Sequence, residues 1–265
     1  MIHPHTYIHP DARLAENVKV EPFTVIHQGV TIGEGTWVSS NVTIMEGVTI
    51  GKNCRIFPGA VIGAVPQDLK YKGEQTYVEI GDNTTIREFV TIHRGTSDRW
   101  KTTVGNNCLI MAYSHIAHDC CVGNNCIMSN NSQMAGHVIM ADYAWIAGFS
   151  AIHQFVKIGR HAFIAGGSLV RKDVPPFIKA IRDPLSYGGV NSVGLKRRGF
   201  SLEKINEILD IYRIIYNKGL NTSKALEYIQ TELPASEERD EIIDFIRGSE
   251  RGIVKRYTRT EAEDE

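Results

Sequence analysis

Four histidines and one aspartate have the residue types and spacing for acid–base chemistry. His115 and His118 lie three residues apart, His137 and His153 follow His118 by 19 and 35 residues, and Asp119 is adjacent to His118. Histidine has the unperturbed pKa closest to neutral pH, and a neighbouring carboxylate can hold its ring in one tautomer, so the set predicts a general base. Two other interpretations remain open: histidines that only stack along a protein face, and a zinc site.

A six-residue repeat of aliphatic side chains predicts the elements that position these residues. The repeat runs unbroken from Ile8 to Ile62, returns from Ile80 to Ile92 and continues from Val104 to Val170. Neither a period of two nor one of 3.6 explains it. Short fixed repeats are typical of solenoids, and hexapeptides are the repeat of a parallel β-helix. We therefore expect a mainly β protein, a left-handed parallel β-helix followed by a carboxyl-terminal α-helical region.

Three hexapeptides make one triangular coil, so residues 18 apart are expected to stack at an inter-strand spacing of about 4.8 Å. On this spacing Asp119 lies directly beside His137 on the next coil. His118 and His153 are one residue short of two full coils apart. The prediction is a single column of histidines, which makes these dispersed residues one candidate site.

The repeat is interrupted twice and then ends. Segments near 64–77 and 94–103 lack anchors at the expected positions, and loops that protrude from a rigid scaffold are natural places for function. Pro175 and Pro176 predict the end of the β-helix, so that it spans residues 1–176. A connector over 177–200 and a helical domain over 201–265 follow. Within that domain we expect helices at about 201–219, 222–233 and 236–247, and a frayed acidic tail at 261–265.

Composition is that of a soluble protein without large net charge. The 265 residues are 42% hydrophobic, with a formal net charge of −1. No apolar run is long enough to span a bilayer and the amino terminus does not have the layout of a signal peptide, so we expect no stable membrane insertion and a cytoplasmic location. Four cysteines, at 54, 108, 120 and 126, occupy small inward positions of the repeat, which favours core filling over disulfide, metal or nucleophile roles.

One segment is strongly basic in this nearly neutral chain. Residues 151–204 contain ten lysines and arginines against three acidic residues, a net charge of +7. Such a patch would steer an acidic partner toward the surface and raise its association rate. Nucleic acid is the rival partner, but no aromatic stacking platform or nucleic-acid-binding motif accompanies the charge, so no nucleic acid is expected.

Six short motifs stand out along the chain: QDLKY at 67–71, TIHRGT at 91–96, HIAHDC at 115–120, AGHV at 135–138, HQF at 153–155 and GLKRRGF at 194–200. Together they resemble the motifs of the acyl-carrier-protein:UDP-N-acetylglucosamine O-acyltransferases, which open lipid A synthesis in Gram-negative bacteria. The resemblance spans the whole chain, whereas hexapeptide repeats alone would indicate only a large superfamily.

The resemblance implies transfer of a 3-hydroxyacyl chain from acyl carrier protein to the 3-hydroxyl of UDP-N-acetylglucosamine. In that family the histidine matching His118 is the general base, and the aspartate matching Asp119 orients it. The backbone N–H matching Gly136 is the oxyanion donor, and glycine permits the close approach this needs. No cofactor is implied, since the acyl donor is a phosphopantetheine thioester on the carrier protein.

The resemblance also implies a set of substrate-binding positions. Asp68 and His137 match sugar contacts, whereas Lys70 and Gln154 match positions near the acyl donor and the sugar nucleotide. Further candidates are His115, Asn191 and Arg197 at nucleotide or phosphate contacts, Arg198 at phosphate or the carrier protein, and His153 in the histidine column. Lys70 as a solvated loop charge and Gln154 as a turn residue are the structural alternatives.

Features at the ends of the predicted site bear on specificity. Gly166 matches a position where glycine leaves room for a long acyl chain, and Phe163 lies nearby in the same groove. Val193 departs from the family pattern, which has a glutamate two residues after the asparagine matching Asn191.

The resemblance also implies a homotrimer with active sites between subunits. Two other functions stay open: the same fold acting on a 3-amino sugar nucleotide, and a zinc-dependent β-helix hydratase.

Overall fold

Short parallel strands dominate the computed structural model, which describes residues 1–257. The tail at 261–265 therefore lies outside the described residues. Up to residue 170, strands that follow one another along the chain belong to different sheets, so that each full coil contributes one strand to each of three sheets. The predicted left-handed parallel β-helix of hexapeptide repeats, with carboxyl-terminal helices, is confirmed.

The strands of the first sheet are Tyr7–Ile8, Val25–Ile26, Thr43–Ile44, Val61–Ala64, Thr91–His93, His115–Ile116, Gln133–Met134, Ala151–Ile152 and Leu169–Val170. Those of the second are Arg13–Leu14, Thr31–Ile32, Val48–Ile50, Tyr77–Ile80, Lys101–Val104, Cys121–Val122, Ile139–Met140 and Lys157–Ile158. Those of the third are Lys19–Val20, Trp37–Val38, Arg55–Ile56, Thr85–Ile86, Leu109–Ile110, Ile127–Met128, Trp145–Ile146, Phe163–Ile164, Ile178–Ile181 and Ser186–Val190.

The repeat anchors form ladders inside the triangular tube. Ile26 pairs with Ile44, and Ile44 with Ile62, each 18 residues along the chain. All three are fully buried, so their burial in an apolar interior drives the folding of each coil. Cys54, Cys108, Cys120 and Cys126 are buried as expected, and Cys121 is exposed.

Turns with left-handed backbone form the corners of the coil. Asn53, Asn83, Asn107 and Asn125 have φ between 53° and 57° at successive turns between the second and third sheets. Asparagine tolerates this conformation because its short polar side chain can bond locally. At the turns between the first and second sheets the same backbone is adopted by Asp119, His137 and Phe155.

Both excursions leave the solenoid at this corner between the first and second sheets. The first occupies residues 65–76, between Val61–Ala64 and Tyr77–Ile80, and the second occupies 94–100, between Thr91–His93 and Lys101–Val104. Ile62 pairs with Ile92 and Ile92 with Ile116, separations of 30 and 24 residues. The excursions thus add whole multiples of six residues, which preserves the inward direction of every later anchor.

The second excursion is shorter than the predicted 94–103. Lys101–Val104 is a strand that pairs residue by residue with Tyr77–Ile80. Two of its residues are threonines, which are β-branched and suit a pleated surface. The strand therefore begins at Lys101, which pairs with Tyr77.

The third sheet continues past the predicted boundary at residue 176. Ile178–Ile181 pairs in parallel with Phe163–Ile164, and Ser186–Val190 pairs antiparallel with Ile178–Ile181. Pro175 and Pro176 do not stop the sheet because they lie at a corner, where no ladder N–H is needed. The segment predicted as a connector, 177–200, thus forms two strands and a short helix, α1 (Ser192–Arg197).

Three further helices cover the end of the solenoid. They are α2 (Leu202–Asn217), α3 (Thr222–Glu232) and α4 (Glu237–Arg247), near the predicted positions. Ser201, Asn221 and Ser236 cap their amino termini by accepting a hydrogen bond from a backbone N–H of the first turn. The buried Tyr212 hydroxyl of α2 donates to the carbonyl of Pro176 at 2.6 Å, which ties the helices to the last coil. Within residues 1–257, no helix has the length and apolar character needed to cross a membrane.

We expect Ile32→Ala to lower the free energy of unfolding by about 2–5 kcal/mol, because it opens a cavity in the aliphatic ladder. Thr31→Ala, on the exposed face of the same two-residue strand, is the matched control and should change it by less than about 1 kcal/mol. Denaturant unfolding of both variants measures the difference. Equal effects at the two positions would contradict the inward assignment of the repeat.

Candidate active site

A histidine and an aspartate form a buried pair at the corner where the excursions leave. His118 Nδ1 lies 2.8 Å from Asp119 Oδ2. The aspartate is fully buried, and His118 is 7% exposed. The two side chains are therefore in contact, as the resemblance implies. Thr96 of the second excursion donates to the same carboxylate through its backbone N–H at 2.9 Å and through its hydroxyl at 2.6 Å.

These hydrogen bonds decide the charge of Asp119 and the tautomer of His118. Burial alone would raise the pKa of Asp119, but the hydrogen bonds from His118 and Thr96 outweigh it and lower the pKa to about 2. A charged carboxylate can only accept, so His118 donates from Nδ1. Its Nε2 is then the basic nitrogen, available to take a proton from a bound molecule.

Gly136 lies against the basic nitrogen of His118. A Cβ built at this glycine would fall 2.6 Å from both Cε1 and Nε2 of the His118 ring. Its φ is outside the left-handed region, so the glycine is required by the space the imidazole occupies rather than by backbone conformation. The absence of a side chain leaves the backbone of residue 136 close to the base, where a backbone N–H can stabilise charge that develops on a reacting group.

The base opens into a cavity of about 610 Å³ on the side of the first sheet. The lining residues come from the first excursion and from four successive coils: Gln67, Asp68, Leu69, Lys70, His93, His115, Ala117, His118, Ala135, Gly136 and Gln154. Six of the predicted site residues thus share one cavity. Asp68 Oδ2 is 3.9 Å from His118 Nε2, which brings the first excursion over the base. His115 is held by Thr91, whose hydroxyl lies 2.7 Å from His115 Nδ1.

His137 packs edge-on against His118, with ring centroids 5.2 Å apart, but lines a different cavity. Its Nε2 is 3.7 Å from Asp119 Oδ2 and 3.5 Å from Asp98, and its ring stacks on Phe155 with a centroid separation of 4.5 Å. Burial lowers the pKa of His137, although the charge of Asp119 opposes the shift. The side chain lines a second cavity of about 530 Å³, together with Arg99, Lys157 and Arg251. Stacking of Asp119 beside His137 is as expected, but the two histidines face different spaces.

His153 is exposed and does not line the cavity of His118. Its Nδ1 lies 3.1 Å from the backbone carbonyl of Gln154. The prediction that all four histidines form one column at a single site is therefore wrong. Eighteen-residue spacing fixes which coil a residue is on, but the position within the turn decides whether its side chain points to the first sheet, the second sheet or solvent.

Asn191, Arg197 and Arg198 line a separate cavity of about 300 Å³ outside the third sheet. Arg198 lies over the ring of Tyr143 at 4.8 Å. The Asn191 side chain caps α1 and donates to the carbonyl of His161 at 3.0 Å. Within one chain these residues are not brought to the cavity of His118, because a different face of the solenoid carries them. Val193 is 65% exposed on the same helix.

The two candidate acyl-groove residues occupy the third sheet and its following corner. Phe163 packs edge-on against Trp145 with ring centroids 5.5 Å apart. A Cβ at Gly166 would lie 3.2 Å from the carbonyl oxygen of Gly148 on the preceding coil. A larger side chain there would have to project away from that carbonyl.

Three side chains near the base have donor atoms close enough to hold a metal ion. In the described part of the chain, His118, Asp119 and His137 have ligand atoms within 4.8 Å of one another. Asp119 Oδ2 already accepts from His118 and from the Thr96 hydroxyl. The carboxylate is thus committed to the hydrogen-bonded pair, which favours a base over a metal ligand.

Sequence reasoning missed three contributors: His93, Thr96 and Arg99. His93 lines the cavity, Thr96 binds Asp119, and Arg99 donates to the Asp119 backbone carbonyl at 3.2 Å. The sequence feature that could have located them is the break in the six-residue repeat. Across the second excursion the coil repeat is 24 residues, so Thr91 pairs with His115 and His93 falls beside the turn that carries His118.

Comparisons with known proteins agree with this fold. The family described as UDP N-acetylglucosamine O-acyltransferase, domain 2, matches residues 173–254, and bacterial transferase hexapeptide repeats match residues 29–64 and 101–136. The chain is 55% identical over 254 residues to the acyl-carrier-protein UDP-N-acetylglucosamine O-acyltransferase of a Sulfurihydrogenibium species, covering 96% of this chain and 94% of the relative. It is 46% identical over 255 residues to the enzyme of that name from Halorhodospira halophila, covering 96% and 99%.

Solved structures show the same likeness. A UDP-N-acetylglucosamine acyltransferase from Bacteroides fragilis superposes with a TM-score of 0.94 at 51% identity, covering 96% of this chain and all of that one. The Arabidopsis enzyme superposes with a TM-score of 0.87 at 33% identity, with the same coverage of both chains. Identity of this extent over nearly the full length, together with the hydrogen-bonded histidine and aspartate in the HIAHDC motif, establishes that the chain belongs to the acyl-carrier-protein:UDP-N-acetylglucosamine O-acyltransferase family.

Proposed function

We propose that this protein transfers a 3-hydroxyacyl chain from acyl carrier protein to the 3-hydroxyl of UDP-N-acetylglucosamine, the first step of lipid A biosynthesis. The observation that carries the proposal is the His118–Asp119 pair at 2.8 Å, whose free Nε2 faces the cavity beside Gly136. A base next to an oxyanion donor is the arrangement that acyl transfer to a hydroxyl requires.

In this mechanism His118 Nε2 takes the proton of the sugar hydroxyl as its oxygen attacks the thioester carbonyl carbon. The N–H of Gly136 stabilises the negative charge that develops on the carbonyl oxygen. Asp119 stabilises the imidazolium that forms, as the aspartate of a catalytic triad does. Collapse of the intermediate breaks the carbon–sulfur bond, and the phosphopantetheine thiolate receives the proton from His118. The thioester is already activated, so the proposed reaction uses no metal or other cofactor.

Binding of the sugar nucleotide and acyl donor is assigned to the cavity of His118. Asp68 and Lys70 lie on the first excursion, and Gln154 lies on a later coil, so the cavity is bounded on both sides of the base. A backbone hydrogen bond from Lys70 to the Asp68 carboxylate, at 2.9 Å, orders the loop. On this assignment Gln154 and Lys70 are binding residues rather than surface polar groups.

A homotrimer with active sites between subunits accounts for residues that one chain leaves apart. Arg197, Arg198 and Asn191 lie outside the third sheet, away from the base. Aromatic side chains stand exposed on the edge where the third sheet turns into the first: Phe23, Phe89, Tyr113 and Phe149, between 52% and 74% exposed. Leu69, at the rim of the cavity, is completely exposed. Exposed apolar groups of this number mark a protein contact. In the trimer a neighbouring subunit would supply the arginines to the cavity.

The basic segment at 151–204 is proposed as the approach surface for acyl carrier protein, an acidic partner. A cytoplasmic location is part of the same proposal, because acyl carrier protein and sugar nucleotides are cytoplasmic. The segment includes Arg197 and Arg198 near the proposed nucleotide end of the site.

The decisive experiment is an assay of the purified protein with UDP-N-acetylglucosamine, its 3-amino analogue, and a series of 3-hydroxyacyl carrier proteins. Turnover with the hydroxyl acceptor supports the proposal and fixes the preferred chain length. Turnover with the 3-amino analogue alone would show that the acceptor is the amino sugar nucleotide instead.

The donor cluster of His118, Asp119 and His137 keeps a zinc hydratase as the second candidate. Stoichiometric zinc, and activity lost on chelation, would favour that candidate.

We expect His118→Ala to lower kcat/KM by roughly 10²- to 10⁴-fold, the usual contribution of a general base. The fold should be retained because Thr96 still donates two hydrogen bonds to the buried Asp119 carboxylate. His9→Ala is the matched control, since His9 also has a nearby carboxylate, Asp11 at 3.6 Å, but at the surface. Steady-state kinetics and thermal unfolding of both variants check this, and near-normal turnover of His118→Ala would exclude the mechanism.

Gly136→Ala should lower kcat by more than about tenfold, because a Cβ 2.6 Å from Nε2 displaces the imidazole from the Asp119 pair. Thermal unfolding is expected to change little, since the displaced ring can move into the cavity. Turnover at the wild-type rate would show that catalysis needs neither the position of the His118 ring nor the close approach of the Gly136 backbone.

Sites shared between subunits predict complementation between two inactive variants. His118→Ala and Arg197→Ala are each expected to have low activity, whereas their co-expressed mixture should regain part of it, because some sites combine an intact His118 from one chain with an intact Arg197 from its neighbour. Activity of the mixture equal to the average of the two variants would contradict a shared site, as would a fully active monomer in sedimentation.

A further inference from the structure

One buried polar side chain in the cavity has no part in the mechanism above: His93, at the end of the strand Thr91–His93. It is 5% exposed and lines the cavity together with His118 and Asp68. Its Nδ1 is buried and has no hydrogen-bond partner among the described residues. Nε2 is therefore the nitrogen left to face the cavity. Because the buried Nδ1 does not reach the cavity, a ligand that binds this imidazole must bind Nε2.

The protonation state of His93 follows from its surroundings. Burial, and to a smaller extent the neighbouring His115 and His118, lower its pKa to about 4. The ring is therefore neutral at working pH and carries one N–H. An orphaned buried N–H is rarer than an orphaned buried acceptor, which places the proton on Nε2. His93 thus presents a single hydrogen-bond donor to the cavity.

Its place in the solenoid indicates which substrate that donor meets. Across the second excursion Thr91 pairs with His115, so His93 lies one coil before His118, and Gly136 lies one coil after it. The thioester carbonyl is assigned to the side of Gly136. The sugar must then approach His118 from the other side, where His93 and the Asp68 loop form the wall.

We propose that His93 donates a hydrogen bond from Nε2 to an acceptor oxygen of the bound sugar nucleotide and so contributes to acceptor binding. The inference rests on the proposed function, since it takes UDP-N-acetylglucosamine as the acceptor. His93 touches the acceptor and does not transfer the proton, which leaves the base chemistry to His118. Its ring also packs edge-on against His115, with centroids 4.7 Å apart, and this contact is the competing structural role.

Two substitutions separate the hydrogen bond from the ring packing. His93→Phe keeps an aromatic ring against His115 and removes both nitrogens. His93→Gln loses the ring but can place an amide N–H near the position of Nε2. If His93 binds the sugar nucleotide, the phenylalanine variant is defective and the glutamine variant is not; if it only packs, the order is reversed.

The measurement is the Kd of UDP-N-acetylglucosamine by calorimetry, without acyl donor, together with the KM values of both substrates. We expect His93→Phe to weaken sugar-nucleotide binding by roughly three- to tenfold, the size of one neutral hydrogen bond. The KM of the acyl carrier protein and kcat should stay within about threefold of wild type, and His93→Gln should bind nearly as wild type. Equal binding by His93→Phe and wild type, equal losses in both variants, or a change confined to the acyl donor would overturn the proposal. Wild-type turnover, measured first, tests the proposed function separately.

Discussion

The stacking of one coil on the next in parallel register is the constraint on which the rest of the structure depends. Each anchor pairs with the anchor of the adjacent coil, and the fully buried Ile26, Ile44 and Ile62 show how closely the apolar ladder is packed. A slip of one residue would turn every anchor outward. Because the exposure of apolar anchors would recur at each coil, the register is strongly specified. The backbone at the corners is therefore fixed, and residues such as Asp119 and His137 adopt left-handed φ there.

The site uses this rigidity at one corner. Both excursions leave between the first and second sheets, and both add whole hexapeptides, so the loops reach the site without disturbing the coils beyond them. The second brings Thr96 to Asp119, and the first brings Asp68 to within 3.9 Å of His118 Nε2. Rigid coils thus position the base and the Asp119 carboxylate that sets its tautomer, while the loops hold that carboxylate and enclose the cavity.

Asp119 is shared by two histidines that line different cavities. Its Oδ2 lies 2.8 Å from His118 Nδ1 and 3.7 Å from His137 Nε2. The low pKa of this buried carboxylate follows from hydrogen-bond donors on two segments, the turn of His118 and the second excursion, so its charge depends on the intact fold. The basic residues of α1 line a separate cavity on yet another face of the same chain.

The sequence by itself determined the coil, the inward anchors, the adjacency of Asp119 and His137, and the places where loops leave, because a strict period converts spacing directly into contact. It also specified the helices of the carboxyl-terminal region through their apolar faces and capping residues. Only the tertiary structure decided which way each corner side chain points. His153 turned out to be exposed, His137 to face a second cavity, and His93 to line the first. The reason is physical: spacing counts residues along the ladder, whereas side-chain direction at a turn depends on local backbone angles and on the excursions that pack against it.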